Sequence, residues 1–414
     1  MRKRIKIQAL VFFLCICTIV SSLPGAAIEI SEDTVISAEM NVRKQNIFTE
    51  LIAEMEQNHL QLHEEEGEIS LNISAIKDVH DFAGNHYTLA ELEPTGYILF
   101  HDESGVFIEY SSRALSPYLG LYDELYYAGP QEYYSKTSLE GETEYRHTVM
   151  DKTLNEDDVI VYEEASDKLN GKLVAETNQN IVSYIKNNTP LYKNAVSSQI
   201  GQGDSVQDKA GSTTVQSTTA TYKGMTCINN YTFFTRLNQC GDNENDTCGY
   251  TAAGMLLAYW KYTKNANYIP TDQLIIHCLN GIAYPQISRQ LSLDLYNVGQ
   301  DLGYSNSTTS RSIRFTVNKY LENRGMTTNW KDEYIPIGNN FVIIDQLSSD
   351  RPVIWFGEIF GNTHDDSSWI AHAVVVYGYS QSITGFSYIA HFGWDTATEV
   401  YFSGVVGSMY TCWP

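Results

Sequence analysis

Between Asn194 and Thr221 the chain runs through Ser, Thr, Gln, Gly and Ala with almost no large apolar side chain. Such a tract cannot bury enough surface to offset the cost of ordering its backbone. It is read as an exposed flexible linker, and linkers of this kind are where proteases cut. It constrains the fold strongly, because each flank must then build its own core. Large apolar residues resume by Met225, with Tyr231, Phe233 and Phe234. From Lys223 to Pro414 the flank has the size of one compact domain.

The chain opens with Arg2, Lys3, Arg4 and Lys6, an apolar run from Ile7 to Val20, and the small residues Ser21, Ser22, Gly25, Ala26 and Ala27. This pattern predicts a secretory signal peptide cut near Ala27, with an apolar core too short to be a first choice for a membrane span. No later stretch is long and apolar enough to span a bilayer, so the expected mature product is soluble, exported and extracellular, with no integral membrane segment. The expected organisation is signal peptide 1–27, acidic α+β block 28–193, linker 194–222 and a second domain 223–414. Of 50 acidic residues, 34 fall between Ile28 and Tyr222, and the net charge is −23. Such a surface repels nucleic acid, and no basic patch argues for that partner.

In the acidic block, Val42–Leu62 has helical spacing, with Ile47, Leu51, Ile52 and Met55 on one face. From Ile69 to Tyr134 the pattern changes to short alternating strands, with a hairpin around Asp102–Gly105. The block shows no nucleophile or metal cluster. Its histidines, His59, His63, His80, His86, His101 and His147, have no ligand spacing and are read as structural or solvated. Neither a metal nor any other cofactor is expected. Ser183–Tyr192 reads as a short helix or strand.

The second domain reads helix-rich first and strand-rich second. A polar loop ends at Asp246-Thr247, and Met255, Leu256, Tyr259 and Trp260 then recur at helical spacing, so Asp246 or Thr247 caps a helix starting at Cys248. A cysteine in a first helical turn lies where unpaired N–H groups and the helix dipole favour a thiolate, the nucleophilic form. Cys227, Cys240, Cys248, Cys278 and Cys412 remain after the signal, an odd number. One free thiol is expected if the others pair, with Cys248 the best candidate. Helices are predicted at Thr271–Leu279, Leu291–Leu302, Arg311–Asn323 and Ile343–Leu347, and strands at Pro352–Phe356, Trp369–Tyr379, Gly385–His391 and Glu399–Ser403.

A cysteine nucleophile works best with an imidazole that takes and returns its proton. His277 shares an apolar segment with Cys278, which points to core packing, and His364 lies in a polar Gly-Asn-Thr-His-Asp-Asp turn. His372 instead enters the apolar run Trp369–Tyr379, where a polar group is costly without a partner or a task.

Cys248 at a helix start, the downstream His372-Ala-Val-Val-Val-Tyr-Gly-Tyr, and a Gly393-Trp394 element after the next strand together resemble the papain-type cysteine peptidases, especially the streptopain-like branch and related exported bacterial proteins. Asp81-Phe-Ala-Gly and Glu93-Pro-Thr-Gly-Tyr-Ile resemble propeptides of such enzymes. The resemblance implies an α+β, papain-like fold of two subdomains, a helical half and an antiparallel-sheet half, preceded by an α+β pro-domain. It implies Cys248 as nucleophile, His372 as general acid/base and Trp394 as part of the substrate cleft. The family's orienting Asn falls on His391, and a neighbouring Gly on Asp395; either side chain could hold His372, with a carboxylate the more usual partner of an imidazolium. The family's oxyanion glutamine has no match, since Asp242 stands there. Asn243, Asn245 or Gln239 could donate instead, beside the Cys248 N–H.

The function implied is a secreted cysteine endopeptidase zymogen acting on protein or peptide, with Ile28–Tyr222 as intramolecular inhibitor. Two alternatives stand beside it: a cell-wall amidase or endopeptidase, and a papain-fold protein that binds peptides without cutting them.

Overall fold

The structure, a computed structural model, describes residues 32–139, 142–150, 152–155, 157, 159–160, 162–163, 179–180, 224–237, 247–304, 308–335, 341–358, 371–382, 385–394, 396–403 and 407–414. The expected signal peptide, the Ser183–Tyr192 segment and the expected linker therefore lie outside the described residues. The chain divides into two compact units, Met1–Thr49 and Glu50–Pro414. Helix α1 (Glu32–Leu62) spans that division and is longer than the periodicity predicted. Within the first unit, the Thr49 hydroxyl donates to the Gln45 carbonyl at 2.8 Å. Among the described residues no helix is long and apolar enough to cross a membrane.

The second unit is α+β. Its N-terminal strands are β1 (Asn72–His80), β2 (His86–Glu93), β3 (Tyr97–His101), β4 (Val106–Ser111), β5 (Glu124–Gly129), β6 (Glu132–Leu139), β7 (Glu142–His147) and β8 (Thr153–Leu154). Alternating apolar residues and Gly-containing turns at Gly84, Gly96 and Gly105 make the first four an antiparallel meander.

After β9 (Gly224–Cys227) and the short α2 (Thr232–Thr235) comes α3 (Cys248–Lys264), buried nearly all round through Trp260. Then follow β10 (Leu274–Leu279), β11 (Ile282–Ile287), α4 (Arg289–Asp301), α5 (Ser310–Asn323), β12 (Asn329–Ile335), α6 (Phe341–Ser348), β13 (Val353–Glu358), β14 (Ala371–Ser382), β15 (Gly385–His391), β16 (Val400–Phe402) and β17 (Gly407–Trp413). Helix α5 opens on a reciprocal capping box between Thr309 and Ser312.

One large sheet carries both blocks, in the order β12-β17-β13-β14-β15-β16-β4-β3-β2-β1-β5-β6-β7-β8, with β9 also on β14. Its pairs are antiparallel except β1–β5. The two blocks join where β16 pairs β4, opposing Tyr401 to Tyr110, whose rings stack at 4.8 Å. A buried His63 Nε2–Glu399 Oε2 contact of 2.6 Å reinforces that join. Helix α3 packs on β13, β14 and β17, and α4 and α5 pack beside it.

The helix expected at Thr271–Leu279 is instead a 3-10 turn, Thr271–Gln273, followed by β10 in an isolated hairpin with β11. Asn280 and Gly281 both take positive φ, 52° and 83°, the geometry that Asn-Gly supplies to a two-residue hairpin turn. His277 and Cys278 are therefore exposed rather than core, and His277 Nε2 lies 2.7 Å from Gln286 Oε1. The thiols of Cys227, Cys248, Cys278 and Cys412 are in no disulfide, and Cys240 lies outside the described residues. Pairing cannot be read from the sequence, and Cys248, the best candidate for a thiol outside any pair, is among those in no disulfide.

Candidate active site

Cys248 is the first residue of α3, with Thr247 at the N-cap position but no side-chain cap bond. The N–H groups of a first turn have no acceptor within the helix, so they point where an anion or a developing oxyanion would sit. Gly249 follows because Thr308 packs against it so closely that a Cβ would overlap the threonine hydroxyl. Cys248 as a residue is only 4% exposed.

His372 stands near the start of β14, opposite Gly357 of β13, and is also buried. The Cys248 side chain is within hydrogen-bonding reach of the ring. Two side chains of the β5–β6 hairpin complete its surroundings. Gln131 Oε1 lies 3.1 Å from Nδ1, and the Glu132 carboxylate makes a very short contact with Nε2.

The geometry settles the orientation of this cluster. The Gln131 amide nitrogen donates to the Phe392 carbonyl at 2.9 Å, which leaves Oε1 as an acceptor facing His372. Glu132 is also contacted by the Tyr134 hydroxyl and, at 3.2 Å, by Lys152 Nζ. The Gln131 carbonyl accepts from His147 Nε2 at 2.6 Å, and the His147 Nδ1 accepts from the Met150 N–H at 2.9 Å. Gln131 and Glu132 are both completely buried, and Gln131 takes a positive φ of 71° at the hairpin tip.

The electrostatics follow. Burial by itself would push His372 down, but the Glu132 carboxylate, and after it the Cys248 side chain, raise it to about 10. Burial by itself would push Glu132 up, but the His372 imidazolium, with Lys152, holds it well below the usual carboxylate range. The pair is thus an imidazolium and a carboxylate at neutral pH. Its two ring N–H groups point at Glu132 and Gln131, with the thiol beside them.

His391, at the end of β15, is held differently. Its Nδ1 accepts from the Gly393 N–H at 2.9 Å and its Nε2 donates to the Leu237 carbonyl at 3.2 Å. Burial pushes it down to about 4, so it is neutral and both its nitrogens are occupied away from His372. Trp394 is half-buried just beyond, its carbonyl accepting from the Ala397 N–H at 3.0 Å. Asp395, Asn243, Asn245, Gln239 and His364 lie outside the described residues.

Cys248 and His372 are thus brought together from positions far apart in the chain, while His391 is committed elsewhere. Sequence reasoning missed Gln131 and Glu132, which lie in the block read as free of catalytic groups. The available signal was the Gly129-Pro130 turn between tyrosine-rich strands, which marks a hairpin tip without saying what it meets.

A thiol at a helix N-terminus, within reach of a buried imidazole on a packed antiparallel sheet, is the arrangement that nucleophilic cysteine chemistry calls for. Residues 228–388 match the Peptidase_C39 like family, a segment that holds both Cys248 and His372. The match supports a cysteine-type peptidase hydrolase of papain-like kind for that part of the chain. No curated protein matches the chain.

Proposed function

We propose that the chain is an exported cysteine endopeptidase made as a zymogen. Cys248 attacks a peptide carbonyl as thiolate, His372 moves the proton from thiol to leaving amine, and residues 28–222 hold the site shut until export. The observation that supports this most is Gln131 and Glu132 lying on His372. The buried hairpin tip is bonded to the imidazole that lies within reach of the thiol, so a peptide docking against that ring has to displace it. Its glutamine carbonyl also accepts the Nδ1–H hydrogen bond, engaging the proton that catalysis needs to exchange with sulfur. In this reading Trp394 lines the cleft once the hairpin leaves, and the Cys248 N–H supplies one oxyanion donor, with Asn243, Asn245 or Gln239 as candidates for the second. The group orienting His372 in the freed enzyme is then Asp395, since His391 is already fully bonded. Activation is cleavage within the 194–222 tract.

The test uses the full chain. Its mass is followed during incubation, alongside labelling of Cys248 by a thiol-directed peptide probe. The expected result is loss of the N-terminal part by a cut between residues 194 and 222, with labelling and peptide hydrolysis rising together. Equal hydrolysis before and after the cut would remove the inhibitory role. Labelling that persists in His372→Ala would remove the dyad, and digestion of purified peptidoglycan but not peptides would favour the amidase.

A further inference from the structure

The strands β1 and β2 bring together three groups that the sequence leaves scattered. His80 lies directly opposite His86 in their register, and Asp78 sits two residues back along β1, on the same face. His80 Nε2 is 3.3 Å from Asp78 Oδ2, and His86 Nδ1 is 3.5 Å from Asp78 Oδ1. The imidazoles stand at 71° to each other with centroids 4.6 Å apart, and one ligand atom from each of the three residues lies within 4.8 Å of the others. The pairing of the strands thus gives His80 and His86 a shared neighbourhood that their spacing in the sequence does not show.

We propose that Asp78, His80 and His86 form a site for a divalent transition-metal ion, with zinc as the best fit. Metal–nitrogen and metal–oxygen bonds of about 2.0–2.1 Å place neighbouring ligand atoms of a tetrahedron roughly 3.3–3.4 Å apart. The two Asp78 distances, one from each carboxylate oxygen, lie close to that edge, and drawing the three residues onto one ion takes only a small side-chain adjustment from a set already within 4.8 Å. Two neutral imidazoles and one carboxylate suit zinc, nickel or copper, whereas magnesium and calcium call for an all-oxygen shell.

The scaffold is stiff where it needs to be. The turn joining the strands is tied by Asp81, whose Oδ1 accepts from the N–H groups of Ala83 at 3.0 Å and Asn85 at 2.8 Å, and whose Oδ2 accepts from the Asn85 side chain at 2.7 Å. On another side β5 runs parallel to β1 and sets the Tyr126 ring 6.2 Å from His80. Asp78 and His86 keep about 60% of their side-chain surface open, so an ion can enter and retain water at its fourth position. Bound there, it would clip β1 to β2 across their turn. The competing account is that Asp78 simply pairs with two imidazoles and binds no metal.

The experiment titrates Zn2+ into the full chain carrying Cys248→Ser, so that the nucleophile is not itself a ligand. The readouts are calorimetry and native mass spectrometry. One ion per chain is expected, with affinity falling at least tenfold in His80→Ala, His86→Gln and Asp78→Asn while their circular dichroism and melting without metal stay unchanged. With Co2+ in place of zinc, the spectrum should show a tetrahedral or five-coordinate centre without a thiolate charge-transfer band. No saturable binding, binding equal in all three variants, or a thiolate band would overturn the proposal. Since hydrolysis is not measured, the outcome is independent of whether Cys248 and His372 act as a peptidase.

Discussion

The ends of β14 and β15 carry one buried histidine each, and the two have opposite charge. His372 is raised to about 10 and is a cation. His391 is lowered to about 4 and is neutral. Burial pushes both down, so the difference comes from their partners: a carboxylate and a thiol for His372, a backbone carbonyl and a backbone N–H for His391. A buried imidazole is an acid/base only if something stabilises its charged form. One that bonds peptide groups on both sides is a piece of scaffold.

The sharpest break in this comparison is deletion of each ring in turn. His372→Ala is expected to lower peptide hydrolysis by the activated enzyme on the order of a thousandfold or more, the usual consequence of losing a dyad member. His391→Gln should keep hydrolysis per folded molecule within about tenfold while losing roughly 1–3 kcal/mol in urea unfolding, as expected for a disturbed buried hydrogen-bonded group. Comparable losses of hydrolysis in both variants would mean that the two rings share one task.

Next in size is Glu132→Gln. Removing one member of a buried ion pair costs about 3–5 kcal/mol, and under the proposed activation only the uncut chain contains this pair. Labelling of Cys248 in the uncut chain should rise by about a hundredfold or more, and the His372 ring signal in NMR should titrate nearer its ordinary range. If labelling stays at the parent level, the hairpin does not guard the thiol.

A pH effect follows from the neutral histidines. His147 braces the hairpin tip through the Gln131 carbonyl, and burial pushes it down to about 4 from an ordinary 6.5. A histidine lowered in the folded state stabilises it fully above pH 6.5 and ceases to do so as pH falls towards 4. His391 acts in the same sense. His372, raised to about 10, contributes fully below 6.5 and loses its contribution as pH climbs through 10. Processing of the intact chain should therefore accelerate as pH falls from 6.5 to 4, and again at strongly alkaline pH. His147→Gln should flatten the acid limb, and a rate independent of pH over that range would contradict the assignment.

The smallest expected effect is a control. Thr309→Ala removes the α5 capping box and should cost about 1 kcal/mol in global unfolding. It removes no contact of Gln131 or Glu132, so protection of Cys248 should stay unchanged; increased labelling would show that protection follows overall stability, or the packing of Thr308 on Gly249, rather than the Glu132 contact.

Much of the fold was legible because its signals are local. The helical spacing after Asp246-Thr247 gave α3 its start at Cys248, and Gly385–His391 and the hairpin around Asp102–Gly105 were readable from alternation and turn residues. The misread helix at Thr271–Leu279 also had a local signal. Asn280-Gly281 flanked by two apolar runs marks a hairpin, but the short run Leu274–Leu279 is ambiguous between helix and strand when periodicity alone is weighed. Strands β12 and β17 escaped because β12 is polar and β17 takes its burial from neighbours distant in sequence.

The two residues on which the proposed chemistry rests could be named from one dimension, since a cysteine opening an apolar helix and a histidine inside an apolar strand are anomalies where they stand. What meets that histidine could not. Glu132 is 240 positions away and carries no local mark separating it from the other acidic side chains of its block. It arrives only because β4 joins β16 and the β5–β6 hairpin projects its tip to β14. Helices and strands answer to neighbours a few residues away. The charge of a buried group answers to whatever the folded chain sets within a few ångströms of it, and that is why the tertiary structure alone decided it.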